Sequence, residues 1–261
     1  MKTDRDGRTS TAASVVALGM FDGVHIGHQV LLQRARKTAD REGLPLVVQT
    51  FAENPLCVLD PARCPPMLTL PRERARQMER LGVDILCEQP FTQAVRELPP
   101  EDFVGGLVRR WHPVTVVVGY NYTFGKAGAG TPALLAALGG ALGLETVVVP
   151  AVCLGGAPVS ATEIRRLLAQ GDARAARLML GRPYARDVER ASHGGGRLRL
   201  RFSEDRKQNL PAGRYRALLE DGKRTYPVSA YVRENETVLC PLPDTVKTCE
   251  QGTLRFIARR P

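Results

Sequence analysis

Apolar residues fall into short runs of four or five, separated by longer stretches where they recur at helical spacing. The runs at 15–18, 46–50, 85–88, 114–118 and 146–149 are rich in Val, Ile and Leu, as strands buried on both faces should be. Between them, 30–42, 71–81, 100–111 and 132–142 read as helices, several starting near a proline and ending near a glycine. Repeated strand–helix–strand units predict an α/β fold, a Rossmann-like doubly wound parallel sheet with helices on both faces. Two further helices follow, 164–169 and 173–180.

After Pro183 the pattern changes. Leu198-Arg199-Leu200-Arg201-Phe202 alternates strictly, 215–219 does so loosely, and Glu220-Asp221-Gly222-Lys223 is a hairpin turn signal. With strands at 228–232, 238–242 and 254–258, the tail end reads as a small antiparallel β-module, barrel-like in outline. The expected organisation is a disordered tail over 1–13, an α/β domain over 14–183 and a β-module over 184–261.

The first predicted strand runs directly into Gly19-Met20-Phe21-Asp22-Gly23-Val24-His25-Ile26-Gly27-His28, and a helix follows. A helix start presents unpaired N–H groups and a partial positive charge, both suited to phosphate. Glycines let backbone approach a ligand. His25 and His28 are three residues apart and fall on one face of the first turn. In such a position an anion raises an imidazole's pKa toward the charged form. Gly119-Tyr120-Asn121-Tyr122-Thr123-Phe124-Gly125 begins at another strand end, and in doubly wound sheets ligands bind beyond those ends. Ser160-Ala161-Thr162-Glu163 opens a helix and has the spacing of a capping box.

The ten-residue glycine–histidine turn resembles the HxGH signature of nucleotidyltransferases, and in its full form the FMN adenylyltransferase module of bacterial FAD synthetases. Thr50-Phe51, the segment Leu98 to Phe103, the loop 119–125, the run Ser160 to Arg165 and Leu180-Gly181-Arg182-Pro183-Tyr184 resemble later motifs of that family in the same order. The resemblance spans residues 14–184, about two thirds of the chain. It implies transfer of AMP from ATP to FMN, forming FAD and pyrophosphate, with Mg2+ accompanying ATP. His25, His28, Asn121 and Arg165 are then the catalytic candidates; Gly19, Phe21, Gly27, Ser160 and Thr162 bind ATP; Thr50, Phe51, Asn121 and Phe124 bind FMN. No metal-ligand cluster belongs to the protein itself. Ala161 stands where the family carries a second serine. Alternatives are another phosphorylated acceptor on the same fold, or a flavin or nucleotide binder without catalysis. Tyr122 and Phe124 read equally well as core, and Phe51 better so.

In that family the C-terminal position holds a riboflavin kinase barrel with a Gly-x-Pro-Thr-x-Asn motif. Here Gly194-Gly195-Gly196-Arg197 resembles its approach, but Leu198 to Ser203 carries no Pro-Thr-x-Asn, so kinase activity is expected to be absent.

Composition adds limits. No apolar run approaches the roughly 20 residues of a membrane span, so no membrane partner is expected and the chain reads as cytoplasmic. Six cysteines without a CxxC pair suit free thiols in a reducing compartment. The net charge is +10, of which residues 184–261 supply +6 (16 Lys and Arg against 10 Asp and Glu). The arginines look scattered, so phosphate-bearing small molecules rather than nucleic acid are the expected partners, with assembly through the C-terminal module left open. His112 and His193 read as surface residues.

Overall fold

The computed structural model describes residues 1–5, 9–194, 197–203, 206–233, 236–239 and 250–260, with no side-chain description for His193, Gly194 and Arg197. The chain divides into two compact units, one of Met1–Pro65 with Leu70–Pro158, the other of Pro66–Thr69 with Val159–Pro261.

In the first unit the elements run β1 (Lys2–Asp4), β2 (Ser14–Leu18), α1 (Ile26–Glu42), β3 (Leu46–Phe51), α2 (Pro55–Leu59), α3 (Pro71–Arg80), β4 (Ile85–Gln89), α4 (Gln93–Arg96), α5 (Pro100–Trp111), β5 (Pro113–Gly119), α6 (Pro132–Gly140), β6 (Glu145–Val149) and a small hairpin, β7 (Cys153–Leu154) and β8 (Ala157–Pro158). The sheet order is β1-β4-β3-β2-β5-β6, and every pairing in it is parallel. Alternate strand residues face opposite layers. Val15, Ala17, Val48 and Val117 pack with Leu31, Leu32 and Ala35 of α1 and Met78 of α3. Val16, Leu18, Val116 and Val118 pack with Val104, Leu107 and Trp111 of α5 and Leu135 of α6. This is the doubly wound arrangement expected. The strand order reverses direction at β2, whose neighbours are β3 and β5, so the β2 and β5 ends border the crevice where such sheets bind ligands.

Residues 1–13 are not a disordered tail throughout. Lys2–Asp4 pairs in parallel with Ile85, Leu86 and Cys87 on the sheet edge. Asp4 is buried and ion-paired with Arg110 of α5, and Arg5 pairs with Glu88 of β4 at 2.9 Å. A long-range ion pair and a strand ladder together hold what local sequence would leave loose. Exposed His112 caps α5 in a left-handed conformation, its Nδ1 2.7 Å from the Thr11 carbonyl.

The cysteines also depart from expectation. Cys57 and Cys64 form a disulfide, their Cα atoms 4.2 Å apart. Asn54 caps α2, and Pro61–Arg63 turns back in a 3-10 helix, which folds the loop onto itself and brings the two thiols together. Cys87 is buried and free, Cys153 exposed and free; Cys240 and Cys249 lie outside the described residues.

The second unit holds α7 (Ala161–Ala169), α8 (Ala173–Leu180), then β9 (Tyr184–Gly194), β10 (Arg197–Phe202), β11 (Gly213–Glu220), β12 (Thr225–Arg233), β13 (Glu236–Leu239) and β14 (Gln251–Arg259). The six strands close into a barrel ordered β10-β13-β12-β11-β14-β9. Inward residues Leu198, Leu200, Tyr215, Ala230, Leu239, Leu254 and Phe256 fill it. The compact units thus part at Pro158/Val159 rather than at the change of texture after Pro183, because α7 and α8 pack with the barrel. Gly171 between them adopts a left-handed conformation within reach of Arg259 and the Tyr215 hydroxyl. Met67 bridges Lys207, so the segment 66–69 also belongs to this unit. β9 went unpredicted because Arg186 occupies an interior position and breaks the apolar alternation; the guanidinium is buried against the Phe202 ring at 4.3 Å and donates to Asn209 Oδ1.

Candidate active site

The turn between β2 and α1 is built on unusual backbone. Phe21 and Val24 sit at positive φ (51° and 38°), a costly conformation for non-glycine residues, beside Gly23 at 79°. Packing maintains it. The Phe21 ring is fully buried, and a Cβ at Gly19 would come within 3.1 Å of it. Gly19 is therefore glycine because Phe21 folds back over the strand end.

His25 occupies the N-cap of α1. Its Nδ1 accepts from the His28 backbone N–H at 3.3 Å, the task usually performed by Ser, Thr or Asp. Accepting at Nδ1 places the neutral ring's hydrogen on Nε2. The His25 and His28 rings stack with centroids 3.6 Å apart, and Phe21 meets His28 edge-on at 5.1 Å. Gly27 lies between them in the first helical turn. Among the described residues His28 Nδ1 is buried without a hydrogen-bond partner. A buried polar atom of this kind is costly unless something else satisfies it. The His28 pKa lies well below the ordinary histidine range, first because burial disfavours the charged ring and second because of repulsion from His25. The expectation that an anion draws the imidazoles toward the charged form concerns the nucleotide-bound state. Without an anion present, His28 is neutral at pH 7.

Thr50 and Phe51 end β3 on the neighbouring strand. Thr50 is buried and donates its hydroxyl to the Met20 carbonyl at 3.1 Å, which ties the end of β3 to the turn. Phe51 is half-buried, edge-on to Phe91 at 5.2 Å. Sequence reasoning missed the support beneath this turn. Arg74 of α3 is buried, contacts the Met20 carbonyl at 3.5 Å and pairs with buried Glu88 at 2.6 Å. An arginine four residues before Met78, on the buried face of an amphipathic helix, was the available signal.

Asn121 follows β5 and is exposed, as is Tyr120. The loop is anchored on the start of α5. A Cβ on Gly125 (φ 72°) would reach Pro100 at 3.0 Å, and the Lys126 N–H donates to the Leu98 carbonyl at 2.7 Å. Two motifs distant in sequence, 98–103 and 119–125, thereby form one structure. Phe124, expected at FMN, lies in this loop. Its ring is buried in the core, 5.0 Å from Phe103 and 5.9 Å from Tyr122. Burial raises the Tyr122 phenol pKa.

Ser160, Thr162 and Arg165 belong to the second unit. Ser160 caps α7, its Oγ accepting from the Glu163 N–H at 3.1 Å. The capping box is only half formed, because the Glu163 carboxylate pairs with Arg166 instead. Thr162 is exposed in the first turn, and Arg165 Nε donates to the Pro66 carbonyl at 2.7 Å.

A parallel doubly wound sheet with paired histidines on a glycine turn at its switch point sets two imidazoles and a helix N-terminus where sheets of this class bind ligands. Comparison with known sequences narrows this. Residues 8–163 match the FAD synthetase family, and the chain belongs to it. It is 37% identical over 171 residues to a bifunctional riboflavin kinase/FMN adenylyltransferase from Listeria monocytogenes, covering 65% of this chain and 54% of the relative. A protein of the same description from Bacillus subtilis is 35% identical over 175 residues, covering 66% and 55% respectively. The chain thus spans about half the length of the curated relatives it matches. A crystal structure described as a macrolide-efflux protein from Streptococcus pneumoniae superposes with a TM-score of 0.88 at 26% identity, covering 100% of this chain and 91% of that one.

Proposed function

We propose that the protein transfers AMP from ATP to FMN, releasing pyrophosphate and forming FAD. The observation that carries this is the stacked His25–His28 pair, with His28 Nδ1 buried and unsatisfied at the start of α1. The FMN phosphate is already an anion at neutral pH and needs no general base. One of its oxygens bonds to the ATP α-phosphorus as the bond from that phosphorus to the bridging oxygen breaks, and the electron pair leaves with pyrophosphate. Catalysis is then alignment and stabilisation of charge on the phosphates. The first-turn N–H groups of α1 and the two imidazoles supply donors for phosphate oxygens. Incoming phosphate charge raises the His28 pKa from its depressed value, so the ring gains positive character as the nucleotide binds.

ATP enters as its Mg2+ complex. Among the described residues no three His, Cys, Asp or Glu side chains gather as a metal cage, so the donor set fits an ion held chiefly by phosphate oxygens. Asn121, beyond β5, offers donor and acceptor to FMN, with Phe51 nearest in kind to an aromatic wall. Ser160, Thr162 and Arg165 serve the β- and γ-phosphates, for which a guanidinium fork is well suited. Thr50 and Phe124 act by holding the two loops.

Riboflavin phosphorylation is not part of this function. Where the kinase motif would stand, β10 presents Leu198 and Leu200 to the barrel core and arginines outward. A chromatographic assay with ATP, Mg2+ and either FMN or riboflavin tests both statements. FAD from FMN, nothing from riboflavin, and loss of FAD in His28→Ala are the expected results. ATP binding without any product from FMN would move the reading to another phosphorylated acceptor.

A further inference from the structure

The barrel wall gathers arginines that look scattered in sequence. Along β10, β13, β12 and β11, side chains alternate between the filled interior and the outer surface. The outward set includes Arg199, Arg201, Arg214, Arg216, Tyr231 and Arg233. Register makes them neighbours. Arg199 lies across from Val238, Val238 from Tyr231, and Tyr231 from Arg214, in one row over four strands. Arg201 and Arg233 both stand opposite Glu236 in the next row. Tyr231 is exposed, and the Arg214 guanidinium lies 5.4 Å from its ring centre.

The other side of the same barrel differs. Arg190 on β9 pairs with Glu250 at 2.6 Å, and Arg255 on β14 with Glu220 at 2.6 Å. Among the described residues the five arginines of the first wall make no ion pair. Glu236, with Glu189 of β9 also across from Arg201, stands against five guanidinium groups, which around an exposed ring leave a net positive patch that neither adenylyl transfer nor barrel packing uses.

We propose that this wall binds single-stranded nucleic acid. Arginines at alternate positions of one strand stand about 6.7 Å apart, and each offers a fork that matches phosphate oxygens. An exposed tyrosine among cations is a stacking surface for an unpaired base, with further stabilisation from the guanidinium beside it. Among the described residues these four strands carry no helix to enter a duplex groove, whereas unpaired bases can meet a strand surface. The assignment is independent of the FMN reading and departs from the expectation that nucleic acid is not a partner.

The test is fluorescence polarisation of the full chain with a labelled oligothymidylate of about 12 nucleotides, at about 50 and about 200 mM salt. Binding should weaken with salt. R199E/R201E should weaken it by about tenfold or more and flatten the logarithmic salt slope by about 1.4, two phosphate contacts' worth for a single strand. Tyr231→Ala should weaken binding with the slope unchanged, since stacking releases no counterions. FAD formation should be unaffected in both variants. K37E/R41E makes the same charge change on exposed positions of α1, and equal weakening there would reduce the effect to net charge and overturn the proposal. Polyglutamate competing as well as unlabelled oligonucleotide would assign the wall to an acidic protein instead. No binding at the lower salt would also overturn it.

Discussion

Several helices begin with a capping side chain, and two of these caps teach different things. Ser160 at the start of α7 accepts one backbone N–H, as serine does in countless helices. His25 at the start of α1 performs the same task with an imidazole nitrogen. An imidazole is larger, titratable and a poor substitute for serine if capping were the whole purpose. It also comes with a stacked second histidine and a backbone held at positive φ at Phe21 and Val24. The first cap is explained by local helix chemistry alone; the second costs conformational strain, and strain of that kind collects at functional turns.

The largest effect should come from removing what holds the strained turn. Phe21 is fully buried between the strand end and His28, so Phe21→Ala should destabilise the protein by about 3–5 kcal/mol. Denaturant unfolding followed by circular dichroism measures this. A loss below about 1 kcal/mol would mean that the turn relaxes into ordinary backbone and that its shape is not maintained by packing.

Next comes a substitution that separates the two roles of His25. Serine is a good N-cap, so His25→Ser should leave the unfolding midpoint nearly unchanged. It should lower the rate of FAD formation by about 10²–10³, the usual consequence of removing one donor from a developing charge. If activity survives, α1 begins like α7 and the histidine is only a cap. For comparison, Ser160→Ala should cost about 1 kcal/mol of stability. Its activity should fall by a change in KM for ATP rather than in kcat.

The contrast also marks how far the sequence could be read. The doubly wound sheet was legible because each central strand is a short Val-rich run bounded by glycine or proline, and observed boundaries fall within a few residues of those predicted. The histidine turn was legible because its signal is local. What escaped depends on partners far along the chain. Lys2–Asp4 is a strand because Arg110, over a hundred residues away, receives Asp4. Arg186 reads as a surface residue until Asn209 and Phe202 enclose it. Thr50 and Phe124 carry the right motif positions, yet one hydroxyl goes to Met20 and one ring to the core, details that only the packed loops decide. The Cys57–Cys64 bond depends on the α2 turn, which spacing alone does not reveal.

The smallest predicted effect concerns pH and tests whether His28 is held as neutral as its surroundings require. Its pKa in the folded protein is depressed by burial and by His25, whereas in the unfolded chain it returns to about 6.5. Above that value both states are neutral and the group contributes no pH dependence. As pH falls below it, the unfolded chain takes up a proton that the folded one resists, so stability declines with acidification. Between pH 7.5 and 6.0 the decline is at most about 0.8 kcal/mol for one such group. His28→Asn removes this slope while leaving the other titrating groups in place, so the difference between the two proteins' unfolding free energies should narrow in favour of the variant as pH drops. ATP should reverse the sign, because phosphate favours the charged ring, and nucleotide binding should then tighten as pH falls through the same interval. Parallel pH profiles for the two proteins would show that His28 is as well solvated as a surface histidine. His25 would then stand alone in a turn whose strain has no second imidazole to serve.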